Sequence, residues 1–179
     1  KDKHNHIILT RNPYKDTNIR SILTQDDNPL TQAEKLADLF ISDRKKQAAE
    51  IILPNLGNGH FVITDRYKLS TITYQSAQGI PMQNLIDKHL GLPIPDMTFV
   101  IDLSSKEASR RMKKEDVSIR GKEHKFEANL DFLETARQNH LKAIQLLQNE
   151  KIFLINGERN PEIISQEIKE IFDKEFERI

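Results

Sequence analysis

The chain has 179 residues, with 27 Lys and Arg against 27 Asp and Glu, 37% apolar residues and no cysteine. That length suits one well-cored domain; the balanced charge offers no bulk attraction to a nucleic-acid backbone, and the missing thiols exclude a disulfide framework, a thiolate nucleophile and a Cys-ligated zinc. The longest apolar runs, such as Phe61 to Ile63, fall far short of a membrane span, Lys1-Asp2-Lys3-His4 does not read as a signal peptide, and the cytoplasm is the expected compartment.

Short β-rich runs alternate with longer helical patterns along the chain. His6 to Thr10, His60 to Thr64, Thr98 to Leu103 and Lys151 to Ile155 read as four strands. Apolar on successive residues, they are expected to be buried on both faces, in a parallel sheet between helices. After the first strand, Thr31 and Glu34 have the spacing of a capping box, opening a helix through Leu36, Leu39 and Phe40 towards Ile51 and Ile52. Pro54 and Gly57-Asn58-Gly59 are expected to end it. A long helix is predicted from about Phe126 to Leu147, with Leu130, Leu133, Ile144 and Leu147 on one stripe. The last helix is predicted to start at Asn160-Pro161 and to carry Ile164, Ile168, Ile171 and Phe172 inward.

Three features carry chemistry. The second strand runs into Asp65-Arg66-Tyr67, which puts a carboxylate at the carboxyl edge of a parallel strand, where open α/β sheets bind ligands and where an Asp commonly serves a nucleotide's Mg²⁺. On the helix that follows, Tyr67, Ser70, Thr71, Tyr74, Gln75 and Gln78 fall on one face, with Leu69, Ile72 and Ala77 opposite. Uncharged donors, acceptors and rings, in place of the Lys and Glu of a solvated face, suit a nucleobase and sugar. Phe40 and Arg44, four apart on the preceding helix, could stack a base and hold its phosphate. Finally, Arg110, Arg111, Lys113, Lys114, Arg120, Lys122 and Lys125 crowd one stretch around Gly121, read as a mobile loop that closes cations over polyphosphate.

Together these residues resemble the thymidylate kinase family. Asp65-Arg66-Tyr67 with Ser70 and Tyr74-Gln75 is similar to its D-R-Y-x-x-S-x-x-Y-Q, Gly91 to Asp96 to its G-L-P-x-P-D, and Thr10-Arg11-Asn12-Pro13 to its T-R-E-P. Leu39-Phe40 with Asp43-Arg44 and Arg120-Gly121 leading to Phe126-Glu127 add to the likeness, which covers nearly the whole chain in the family's order. The resemblance implies a three-layer P-loop kinase-like α/β fold with a basic lid at about 113–125, and transfer of the ATP γ-phosphate to dTMP with Mg²⁺. It implies that Arg66 and Arg44 bind the dTMP phosphate, that Phe40 stacks on thymine, and that Thr71 and Gln75 lie near its polar edge. Tyr74 would crowd the 2′ position, and Pro13, Lys15 and Ser70 would complete the acceptor site. Asp65, Arg66 and Arg120 would serve catalysis, Asp65 at the Mg²⁺ or phosphate site, and Arg111 and Lys122 would serve ATP. A homodimer binding neither nucleic acid nor membrane is implied as well.

Departures from the family pattern are Asn12 in place of Glu, Ser76 where many members carry Gly, and Lys15 where some carry Arg. Nowhere do the 179 residues contain G-x-x-x-x-G-K-[ST], the loop that cradles donor phosphates. The expectation is that this loop and the sheet's central strand belong to an upstream segment, whose absence would leave a gap between strands and unpaired backbone groups on both neighbours. Two other readings stay open on the sequence: a deoxynucleoside kinase acting on thymidine's hydroxyl, and a nucleotide-binding module without catalysis.

Overall fold

The computed structural model describes residues 6–25, 27–114 and 125–176. Four strands appear within a residue or so of their predicted places: β1 (Ile7–Arg11), β2 (Phe61–Asp65), β3 (Thr98–Asp102) and β4 (Ile152–Asn156). All pairing is parallel. β1 pairs with β2, Ile7 opposite Phe61 through Arg11 opposite Asp65, and β3 pairs with β4, Thr98 opposite Ile152 through Asp102 opposite Asn156. Among the described residues the two pairs form separate sheets.

Burial of the strands on both faces is corrected. Ile7, Leu9 and Ile63 share one face of the first pair, alternate residues pointing the same way, and all three are exposed, as are Ile101 and Leu154 of the second pair. The opposite face of β1 and β2 is covered, where Val62 packs on Ala48, Ile52 and Tyr67, and on the first face Phe61 meets the Phe176 ring at 5.3 Å between centroids.

The helices are α1 (Thr17–Gln25), α2 (Ala33–Gln47), α3 (Leu53–Gly57), α4 (Lys68–Ala77), α5 (Met82–Lys88), α6 (Ser105–Lys114), α7 (Leu130–Leu146) and α8 (Pro161–Phe176). The capping box does not form: Gln32, in left-handed backbone conformation, caps α2 without a side-chain bond. The Thr31 hydroxyl instead donates to Asn28 O at 3.0 Å and accepts from Lys125 Nζ at 3.0 Å. Gly57-Asn58-Gly59 does end the helical stretch, but Pro54 does not. A π-turn at Ala48–Ile52 joins α2 to α3, where Pro54 sits in the first turn and its missing N–H costs no bond.

α7 starts at Leu130, capped by Asn129, whose Oδ1 accepts from Phe132 N at 2.9 Å. Its buried stripe is Phe132, Ala136, Asn139 and Ala143, and Leu130 is exposed. On α8, Ile164 is buried but Phe172 is exposed, its ring stacked on Phe176, which in turn meets Phe61 of β2.

Two clusters build the interior. One gathers Ile19, Ile22 and Leu23 of α1, Leu36 of α2, Phe126 and Phe132; the other gathers Ala37, Leu69, Ile72, Ile80, Leu85 and Ala143. α4 lies between α2 and α7 and links the two strand pairs: Asn139 Nδ2 donates to Thr73 O at 3.2 Å, and Lys68 meets Glu150, just ahead of β4, at 2.5 Å.

Candidate functional site

The carboxyl ends of β1 and β2 carry the predicted acceptor residues. Past β1 the chain turns through Asn12-Pro13, a cis peptide, into the loop before α1. That loop is fastened by Asp43 of α2, 1% exposed. Its carboxylate accepts from the backbone N–H groups of Tyr14, Lys15 (2.8 Å) and Asp16 (2.9 Å) and, at 3.4 Å, from Asn12 Nδ2. Three successive amides aimed at one oxygen pair form an anion nest, and the chain fills it with its own side chain. The Lys15 ammonium points outward to Glu50 at 2.6 Å, an exposed bond that raises the lysine pKa.

Arg44 is fully buried, and all its partners are neutral. Nη2 donates to Asn12 Oδ1 at 2.6 Å, Nη1 donates to Thr71 Oγ1 at 3.1 Å and lies 2.8 Å from His89 Nε2, and the guanidinium sits 5.5 Å from the centre of the Tyr67 ring. Burial pulls its pKa down to about 10, with Tyr67 and Asp43 opposing. Its Nε–H has no partner among the described residues. The amide at Asn12 explains the departure from Glu at this position. An amide accepts from Arg44 and donates to Asp43, whereas a second carboxylate would face Asp43 across 3.4 Å.

Arg66 begins the connection to α4 with a left-handed backbone, φ 64°, a conformation costly for a residue with a Cβ and characteristic of sites where the surroundings enforce it. It is exposed, and its guanidinium lies 5.7 Å from the Tyr74 ring centre. Burial of its inner atoms lowers its pKa, but Tyr74, Asp65 and Glu127 outweigh that and the net shift is upward. Tyr74 is half-buried among Phe126, Phe132 and His140. Phe40 packs on the same cluster, and the ring under the Arg44 guanidinium is that of Tyr67.

The predicted polar face of α4 is largely buried. Thr71 and Gln75 are 2% and 0% exposed, Ser70 is half-buried, and Gln78 is spent on the loop before α2, donating to Pro29 O at 2.6 Å and Thr31 O at 3.0 Å. Gln75 Nε2 donates to Gln78, leaving Gln75 Oε1 without a partner among the described residues. The predicted acceptor residues Arg44 and Thr71 are thus in direct contact, with Asn12, a departure from the family pattern, bonded to the same guanidinium; Arg66 and Tyr74 form a second group, and Pro13 and Lys15 lie on the adjoining loop. Sequence reasoning missed His89 and Gln47. Gln47 donates to Thr10 Oγ1 and Arg11 O, each at 3.1 Å, fixing α2 to β1. Nothing in the local pattern marks His89; only its place two residues before the Gly91 motif ties it to the site.

At the ends of β3 and β4, Arg137 of α7 holds Asp102 through two bonds, 2.6 and 2.9 Å, keeping that carboxyl below its usual pKa range. Arg110 and Arg111 are helical in α6 and not part of a loop, a correction with a local cause: Glu107 bonds both along the helix at i+3 and i+4. Arg111 also reaches Arg159 O at 3.2 Å, in the turn after β4. Lys125, read as a lid cation, is buried against Thr31. Arg120 and Lys122 lie outside the described residues.

Asp65 could hold a metal. It is exposed at the end of β2, with only a loose contact to Arg11 at 3.9 Å, and a cluster of three or more acidic or histidine ligands is absent among the described residues. A single exposed carboxylate fits Mg²⁺, which keeps waters and takes further oxygens from substrate phosphates. Among the described residues no helix is long and apolar enough to cross a membrane.

A family model described as thymidylate kinase matches residues 1–168. A probable thymidylate kinase of Pyrococcus horikoshii is 32% identical over 157 residues, covering 84% of this chain and 74% of its own length. The thymidylate kinase of Dictyostelium discoideum is 30% identical over 170 residues, 94% of this chain and 72% of its own. That of onion yellows phytoplasma is 34% identical over 167 residues, 88% and 79% respectively.

Proposed function

The chain belongs to the thymidylate kinase family, whose members are phosphotransferases, and we propose that it phosphorylates dTMP with ATP, giving dTDP and ADP. One observation supports the acceptor side most: two guanidiniums from different elements flank one edge of α4, Arg44 through Thr71 and Arg66 over Tyr74. Two planar, permanently charged donors suit a dianionic phosphate better than lysines would. Phe40, Thr71 and Gln75 line the base, Tyr74 crowds the sugar's 2′ position, and Pro13, Lys15 and Ser70 close the site.

An oxygen of the dTMP phosphate attacks the γ-phosphorus in line; the new P–O bond forms as the β–γ bridging bond breaks and its electrons leave with ADP. No protein nucleophile takes part, so catalysis is positioning and charge. Arg66 holds the acceptor while its charge offsets the negative charge built up during transfer, and the family likeness gives Arg120 a catalytic role and Lys122 a role in ATP binding. Arg111 lies along the adenine. Mg²⁺, where bound, would rest on Asp65 and neutralise the donor's phosphate oxygens. The protein acts in the cytoplasm as a homodimer.

Arg66→Ala tests the reading. The KM for dTMP should rise and kcat fall, each by about tenfold or more, since the group both binds the acceptor and stabilises the transition state. Ordinary dTMP kinetics in that variant would sink the assignment.

A further inference from the structure

Among the described residues the buried guanidinium of Arg44 bonds no carboxylate. Asp43, its neighbour in sequence, is committed to the amides of residues 14–16, and the atoms that meet the Arg44 fork are an amide oxygen, a hydroxyl and an imidazole nitrogen. Such partners orient a fork without neutralising it. Because the fork can only donate, each partner must accept, and at His89 the tautomer decides whether Nε2 can do so.

The second ring nitrogen settles which. His89 Nδ1 lies 2.6 Å from the carbonyl oxygen of Leu85, one turn back on α5, and a carbonyl can only accept. The proton therefore sits on Nδ1, leaving the Nε2 lone pair for Arg44 Nη1 at 2.8 Å. We propose that His89 is a positioning residue for the acceptor phosphate: the Leu85 carbonyl fixes its neutral tautomer, and its Nε2 holds the Arg44 fork while leaving the guanidinium charge unspent for dTMP. The inference rests on the reading that Arg44 serves that phosphate. Burial favours the neutral ring, as do the nearby charges of Arg44 and Lys45 on α2 and Lys68 on α4, and together they push the imidazole pKa down to about 4 against the opposing Leu85 bond. His89 is 4% exposed, so water does not compete for Nε2.

The test compares His89→Leu, His89→Gln and Arg44→Met in the intact protein, with steady-state kinetics and melting temperature for each. His89→Leu removes the acceptor, and the KM for dTMP should rise about tenfold, the cost of one hydrogen bond to a charged group, while the KM for ATP stays put. His89→Gln places a carbonyl oxygen near the Nε2 position and should recover most of that loss even where its melting temperature matches that of His89→Leu. Equal dTMP KM values in the two His89 variants, or KM changes that follow melting temperature alone, would overturn the proposal. If Arg44→Met leaves the dTMP KM unchanged, the reading of Arg44 itself fails; if Arg44→Met raises it and His89→Leu does not, only the role of His89 fails. Should His89→Leu not fold, ¹⁵N NMR of the unmodified protein decides. An Nδ1-protonated ring at neutral pH supports the proposal, and an Nε2-protonated or doubly protonated ring overturns it.

Discussion

Lys68 and Glu150 offer the sharpest test of how the two strand pairs are held together. The pair joins the first turn of α4 to the turn before β4, with 2.5 Å between Nζ and Oε1 and side chains only 11% and 10% exposed. At a charge separation of about 4 Å and an effective dielectric of about 20, the attraction is about 4 kcal/mol. Removing each ion from water costs several kcal/mol, so the intact pair adds little net stability. Breaking it is different. Lys68→Met leaves a buried carboxylate without its counter-charge and should cost about 3–5 kcal/mol, whereas the double replacement Lys68→Met with Glu150→Leu removes both charges and should cost less than about 2 kcal/mol. Urea denaturation of the wild type, both single variants and the double variant gives the coupling directly. If the single losses add up to the double loss, the ion pair is not what joins α4 to β4 and the reasoning is wrong.

Gly157 should not tolerate a side chain. A Cβ there would come within 2.7 Å of Ile101 Cγ2 and 2.9 Å of Asp102 O, and Gly157→Ala should lower stability by about 1–3 kcal/mol, read as an earlier denaturation midpoint. His89 makes stability depend on pH. Its imidazole pKa falls from 6.5 to about 4 on folding, so its contribution is complete above about pH 7 and is lost as pH drops through 6.5 towards 4. At pH 5 the loss is about 2 kcal/mol, and His89→Leu should show a shallower acid slope than the wild type.

The strands were legible because Ile7 to Leu9, Phe61 to Ile63, Phe99 to Ile101 and Ile152 to Ile155 are unbroken apolar runs, and such runs mark strands whatever covers them. Their cover was not legible. Spacing assigned residues to faces of α4, but the burial of Thr71 and Gln78 depends on α2 and the loop before it, whose partners lie 27 to 49 positions away in sequence. The failed capping box has the same origin: the Thr31 hydroxyl is taken by Lys125 from the far end of the chain. Pro54 misled because a π-turn, which local spacing does not reveal, absorbs its missing donor. At the site, the motif around Asp65 to Gln75 marked the residues read as the acceptor side, and Asn12 stood out as a departure. The tie from Arg44 to His89 spans 45 positions and carries no local signature.

The central claim is that the phosphate of dTMP, held between Arg44 and Arg66, is the acceptor. The most direct measurement is ATP-dependent product formation by the intact protein, offered dTMP and thymidine in parallel at equal concentration. The account predicts dTDP from dTMP and no appreciable dTMP from thymidine, because two guanidiniums placed for a dianion gain nothing from a neutral nucleoside. Faster turnover of thymidine than of dTMP would contradict it and would assign the chain's chemistry to a nucleoside hydroxyl.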